Sequence, residues 1–138
     1  MDDIGKTQQQ AREDILKLES AVAELPQADQ TMRLIHHFAP GLYARELFMA
    51  AGDTLIGKIH KHAHLNILLE GTVVVDTEFG RQHMTGPHIW VSVPYTKRAI
   101  YNQTDTRWIT FHPTTLTDLD EIEAEVVAES YDNHLEKI

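Results

Sequence analysis

Between residues 42 and 112 the chain is a succession of short runs rich in Val, Ile, Thr, Tyr and Trp, broken by Gly and Pro: LYARELFMA, TLIGKIHKHAH, LNILLEGTVVVDTE, HIWVSVP, RAIYNQ and TRWITFH. Branched and aromatic side chains in runs this short suit a pleated, half-buried strand. The segments 50–53, 78–81 and 102–105 supply turns between them. Six or more such strands without long intervening helices predict an antiparallel sandwich or barrel. Two flanking segments have a helical period instead. Residues 7–25 place Ile15, Leu18, Val22 and Leu25 on one narrow apolar stripe, and Pro26 stops the helix. The stripe has two readings: packing against its own domain, or an intermolecular coiled-coil seam. Residues 118–129 place Leu119, Ile122 and Val126 at helical spacing among acids, with Thr117 or Asp118 as cap, and read as a solvated amphipathic helix. The expected organisation is an N-terminal helical arm over 1–30, a β-barrel over 31–116, and an acidic C-terminal helix and tail over 117–138.

Composition narrows the chemistry. A chain of 138 residues with 42% hydrophobic content has the size and the apolar content for one core. No apolar run approaches the ~20 residues that span a bilayer, and the polar start MDDIGKTQQQ does not read as a signal peptide. A soluble cytoplasmic protein without a membrane partner is expected. The absence of cysteine removes disulfides, thiolate nucleophiles and thiolate metal sites, leaving imidazole and carboxylate as strong metal ligands. A net charge of −9 argues against nucleic-acid binding. That acidity is not evenly spread. Residues 1–30 carry seven acidic and three basic side chains, residues 113–138 eight and one, and the middle six and eight. The barrel segment is therefore slightly basic and suited to an anionic ligand.

Nine histidines are many for this length, and three of them, His60, His62 and His64, stand at alternate positions in KIHKHAH. In an extended strand such positions share a face. Same-face neighbours stand about 6.5–7 Å apart, whereas imidazole nitrogens converge to about 2.0–2.1 Å from a metal. Either the strand bends between Lys61 and Ala63, or two of the three bind. The competing reading is a row of surface histidines interspersed with Lys58 and Lys61.

The stretch 52–71 resembles the first motif of the cupin superfamily, G-x5-H-x-H-x3-E-x6-G. With Gly52 and Gly71 as anchors, the family's two histidines fall on Lys58 and His60 and its glutamate on His64. A shifted frame puts the pair on His60 and His62 and the glutamate position on His64 or Asn66. The second cupin motif is similar to the segment around Pro94: Pro94 is retained, Thr96 replaces a glycine, Ala99 the histidine and Gln103 the asparagine. The resemblance implies an all-β core folded as a cupin-like double-stranded β-helix, a jelly-roll barrel, with N-terminal and C-terminal α-helices. With those helical termini the chain also looks similar to small cupin-like proteins of phages and prophages.

For the site, the resemblance implies a divalent transition metal (Zn, Fe, Ni or Mn) at His60, His62 and His64, or a degenerate site with none. A small-molecule ligand would lie beside Lys58, Tyr101 and Arg98, with Arg98 or Arg45 as an anion clamp and Tyr101 offering a hydroxyl. His112 ends the last strand and is a reserve ligand. His36, His37, His83, His88 and His134 read as turn, surface or satisfied core residues, and Trp90 and Trp108 as core. Three functions follow. One is a metal-dependent enzyme acting on a small molecule, with Glu46 or Glu70 as the available carboxylate base. Another is a non-catalytic binding or structural module that forms homo-oligomers. The third is a metal-free sugar isomerase or epimerase using His60 as base and Tyr101 as acid.

Overall fold

The computed structural model describes residues 7–24 and 33–131; Leu25, Pro26 and His134 lie outside them. The elements run α1 (Gln8–Ala23), β1 (Arg33–Ala39), β2 (Leu42–Met49), β3 (Thr54–Ile56), β4 (Ile59–His60), β5 (Leu65–Glu70), β6 (Thr72–Thr77), β7 (Gly80–Thr85), β8 (His88–Val91), β9 (Ala99–Asn102), β10 (Thr106–Pro113), α2 (Leu119–Val126) and β11 (Val127–Ala128). A five-stranded sheet has the order β1-β2-β10-β5-β8, a four-stranded sheet the order β3-β9-β6-β7, and β11 pairs with β4. Every pairing is antiparallel. Placing β10 between β2 and β5, and β9 between β3 and β6, produces the crossovers of a jelly roll.

Alternation along the strands builds the interior. Leu47, Met49, Leu68 and Trp108 from the larger sheet meet Val73, Val75, Met84 and Ile100 from the smaller one. The β5–β6 turn needs a glycine. Gly71 has φ +107°, and a Cβ there would stand 2.6 Å from the carbonyl oxygen of Asp105. Strands β7 and β8 follow each other in sequence, yet each is the outer edge of its own sheet and they do not pair. The barrel wall therefore has a seam between them.

Both helices lie on the barrel. Thr7 and Gln10 form a capping box at the start of α1, and Ala11 and Ile15 are buried. Arg12 pairs with Glu78 and Lys97 with Glu19, each at 2.8 Å. The intramolecular reading of the stripe thus holds for Ile15, while Leu18 stays 39% exposed. In α2, Asp118 caps the Glu121 amide, and Ile122 and Val126 pack on Tyr43. Helix α2 is therefore amphipathic as expected but not merely solvated: it covers one end of the barrel. Beyond it, β11 holds β4 in register, Val127 opposite His60 and Ala128 opposite Ile59.

Two expectations are corrected. The run 54–64 is not one strand: β3 and β4 are separated at 57–58, while the bend expected as one alternative between Lys61 and Ala63 is present, at Lys61 and His62, before β5. Strands β1 and β7 were not foreseen, because RLIHHFA sets its apolar and polar residues in adjacent pairs instead of alternating them and GRQHMT has Met84 as its one large apolar residue. On the outer face of the larger sheet, Phe111, Leu65 and Val91 form one cross-strand row and Ile109, Ile67 and Ile89 a second. Leu65, Ile89 and Val91 are 40%, 62% and 63% exposed. No helix of the described residues is long and apolar enough to cross a membrane.

Candidate functional site

At the end of the barrel covered by α2, three imidazoles meet. Pairing of β4 with β11 buries Ile59 against Ala128 and Tyr131, so strand alternation turns the neighbouring His60 to the other side. The chain then bends through Lys61 and His62 and returns His64 to the interior, where it is 4% exposed. His112, 5% exposed, comes from β10 opposite Tyr43. Ring centroids are separated by 4.5 Å for His60 and His64, 5.1 Å for His60 and His112, and 4.7 Å for His64 and His112.

Two arginines border the cluster. Arg45 occupies the position between Tyr43 and Leu47 on the inward face of β2. Arg98 precedes β9, where its carbonyl accepts from the Gly57 amide at 2.8 Å. Its guanidinium lies 3.3 Å from His64 Nε2 and 3.4 Å from Asn66 Oδ1, and 5.5 Å over the Trp108 ring. Asn66, fully buried, also accepts from Trp108 Nε1 at 3.2 Å. His64 Nδ1 is 2.8 Å from Ser92 Oγ. A guanidinium only donates, so Nε2 is the acceptor and the His64 proton sits on Nδ1, donated to Ser92 Oγ. That hydroxyl in turn reaches the His64 carbonyl at 3.3 Å. Every polar atom of His64 is thus engaged. The ring nitrogens of His60 and His112 have no hydrogen bond among the described residues.

Burial first, and the neighbouring charges second, keep all three imidazoles neutral. Burial, then His64, His112, Arg98 and Arg45, push His60 down to about 2. Burial, Arg98 and His112 push His64 down to about 3. Burial, Arg45 and Arg98 push His112 down to about 4. Burial alone lowers Arg98 to about 10, and it also lowers Arg45. Both guanidiniums remain cationic near neutral pH. Among the described residues neither forms an ion pair with a carboxylate. Arg45, Lys58, His60, Arg98, Trp108 and Thr110 line a chamber of about 50 Å³. A larger cavity, about 460 Å³, lies outside along α2 among Lys58, Lys97, Asp120 and Glu123; no imidazole or guanidinium lines it, so size does not mark the site.

The sequence-predicted residues divide accordingly. His60, His64, Arg98 and Arg45 come together, joined by His112. His62 is exposed at the bend and stands outside the trio. Lys58 rims the chamber, but its 61%-exposed side chain is ion-paired with Glu123 of α2. Tyr101 is 45% exposed: Ile100 and Asn102 face the core, and Tyr101 lies on the other face of β9, where Ala99 is the buried residue. Glu46 lies on the opposite face of β2 from Arg45, bonded to His37 at 2.8 Å and to Arg107; the His37 hydrogen bond, chiefly, lowers its pKa. Glu70 is exposed. Ser92 and Asn66 complete the polar shell. Asn66 was legible only as an alternative for the motif's glutamate, and no signal pointed to Ser92.

The donor set fits a metal in spacing and fails in charge. Nitrogens about 2.0–2.1 Å from an ion set ring centroids roughly 3.2 Å from it, and three ligands on one face then show separations like those observed. Yet the His64 lone pair is taken by Arg98, two guanidiniums border the cluster, and no carboxylate among the described residues pairs with them. Among the described residues, no group of three or more His, Asp or Glu is disposed to hold a metal ion.

No protein-family model and no curated protein sequence matches the chain. Solved structures do. KdgF from Halomonas sp. superposes with a TM-score of 0.55 at 13% identity, over 70% of this chain and 90% of that one. Salicylate 1,2-dioxygenase from Pseudoaminobacter salicylatoxidans, solved with gentisate, gives 0.58 at 13% identity over 86% of this chain, which spans 33% of the dioxygenase. A cupin superfamily protein from Desulfitobacterium hafniense gives 0.52 at 11% identity, over 70% of this chain and 87% of that one. With two facing antiparallel sheets in jelly-roll order, these likenesses define the fold: the chain is an all-β cupin barrel with flanking helices.

Proposed function

We propose that this protein binds a small organic anion inside the cupin barrel, between Arg45, Arg98 and the free ring nitrogens of His60 and His112, without a resident metal. One observation carries the reading: two desolvated guanidiniums share an interior in which, among the described residues, no carboxylate pairs with them. A buried charge without a counter-charge is costly, and an anionic ligand removes that cost. Neutral imidazoles add hydrogen bonds without adding repulsion. Isothermal titration with small carboxylates tests it. Saturable binding that is lost in R45M and R98M supports the reading; binding unchanged in both variants overturns it.

A second reading keeps a divalent transition metal at His60, His64 and His112, with His62 outside, and is favoured by the centroid spacing alone. It requires Arg98 to release His64 Nε2. Metal analysis of untagged protein separates the two readings. For assembly, we infer a homo-oligomer in which a second copy covers the exposed rows on the outer face of the larger sheet.

A further inference from the structure

Arg98 lines a second cavity on its other side. This one, about 330 Å³, lies along the seam between β7 and β8. Thr77, Gln82 and His88 are polar, but its walls are otherwise largely apolar: Val75, Met84 and Trp90 inside, with Phe79, Val91 and Val93 toward the mouth. Those last three are 57%, 63% and 54% exposed, so the rim presents apolar surface to solvent. The inner end is polar, formed by Arg98, Ser92 and Thr96. The Thr96 hydroxyl is buried and has no hydrogen-bond partner, which leaves a donor and acceptor unmet beside a guanidinium without an ion pair. A greasy channel ending in a cation and a free hydroxyl has the polarity of a carboxylic acid with a hydrocarbon body.

Resting on the reading of the barrel as an anion binder, we propose that the ligand is an amphipathic monocarboxylic acid. It enters through the β7–β8 seam, lays its hydrocarbon body against Met84, Trp90 and Val93, and sets its carboxylate on Arg98 and the Thr96 hydroxyl. The unpaired edges of β7 and β8 make this entry available, since no ladder hydrogen bonds cross the seam. Arg98 is then the shared wall of both cavities, which places the carboxylate next to the imidazole cluster.

The test is titration of the full chain with octanoate and phenylacetate against acetate and 1-octanol, read by calorimetry and by the indole N–H resonances of Trp90 and Trp108. Octanoate and phenylacetate should bind at least about tenfold more tightly than either control, as the added burial of a few methylenes predicts, and should move the Trp90 resonance. V93E, at an exposed rim position that the fold does not need, should weaken the two amphipathic acids and leave acetate unchanged; R98M should abolish all carboxylate binding. Acetate binding as tightly as octanoate, with V93E silent, overturns the seam proposal and leaves the anion reading standing. Octanol binding as tightly as octanoate, with R98M silent, overturns both. No binding by any of the acids also overturns both.

Discussion

Arg98 donates to Nε2 of His64 across 3.3 Å, so a guanidinium stands where a metal would take the imidazole's lone pair. At an effective dielectric of about 20, two unit charges roughly 5 Å apart repel by about 3 kcal/mol, and a divalent ion doubles that. R98S removes both obstacles. The variant should bind cobalt(II) at least about a hundredfold more tightly than wild type, with the visible absorption bands of a nitrogen-ligated ion. Stoichiometric cobalt binding by wild type, as tight as in R98S, would restore the trio as a metal centre.

Arg45 bears a desolvated charge with no ion-pair partner among the described residues. Replacing such a group by an apolar side chain of similar length is neutral or stabilising. R45M should therefore unfold at higher urea concentration than wild type, by roughly 1–3 kcal/mol in the absence of ligand. A clear loss of stability would mean that the guanidinium has a structural partner and is not waiting for a ligand.

The imidazole cluster makes stability fall with acid. The folded values, about 2 for His60, 3 for His64 and 4 for His112, lie below the ordinary 6.5. Between those limits the unfolded chain binds more protons than the folded one. The stabilisation is thus complete above pH 6.5 and is lost progressively as pH falls toward each folded value. Each histidine contributes a slope of up to about 1.4 kcal/mol per pH unit. Urea unfolding at about pH 7.5 and about pH 5.5 should show the loss, and H112N, with one titrating group fewer, should show a smaller one. Identical slopes in wild type and H112N would remove His112 from the buried cluster.

The limits of the sequence are visible in these same residues. Strand-rich character, the turns and both helices follow from local periodicity, and the cupin motif pointed to His60 and His64. Which strands face each other across a barrel is not local information. His112 is 48 positions from His64, and only the order β2-β10-β5 brings their strands side by side. KIHKHAH has the alternation of one strand, but the pairing of β4 with β11 and the bends at 61–62 divide it, and His62 falls outside. Tyr101 was assigned inward with Ala99; a shift of one position reverses every side chain of a strand, and Ile100 and Asn102 are the residues that face the core.

The C-terminal arm holds His60 in place. Val127 stands opposite His60, and the Lys61 amide donates to the Val126 carbonyl at 2.7 Å. V127P removes the amide that donates to the Glu123 carbonyl at the end of α2 and strains the short pairing that follows, while the larger sheets keep their own hydrogen bonds. The fold should survive, and the His60 imidazole should gain water and titrate nearer its ordinary value. Histidine-selective NMR across the acid range reads this directly. A His60 resonance that still fails to titrate above about pH 5 in V127P would show that β11 does not position it.

The outer face of the larger sheet carries the last prediction. Its two apolar rows, Phe111–Leu65–Val91 and Ile109–Ile67–Ile89, cross three adjacent strands, and Ile89 and Val91 are more than 60% exposed. Scattered apolar side chains on a surface are ordinary; contiguous ones mark an interface. Two copies of a twisted sheet can pack these rows face to face, burying the same patch on each. Wild type should therefore elute with about twice the 15.7 kDa chain mass in light scattering, and I89E combined with V91E should elute as a monomer. Ile89 lines neither cavity, so carboxylate binding should persist in I89E alone. A wild type that is monomeric at high concentration overturns the second-copy assignment.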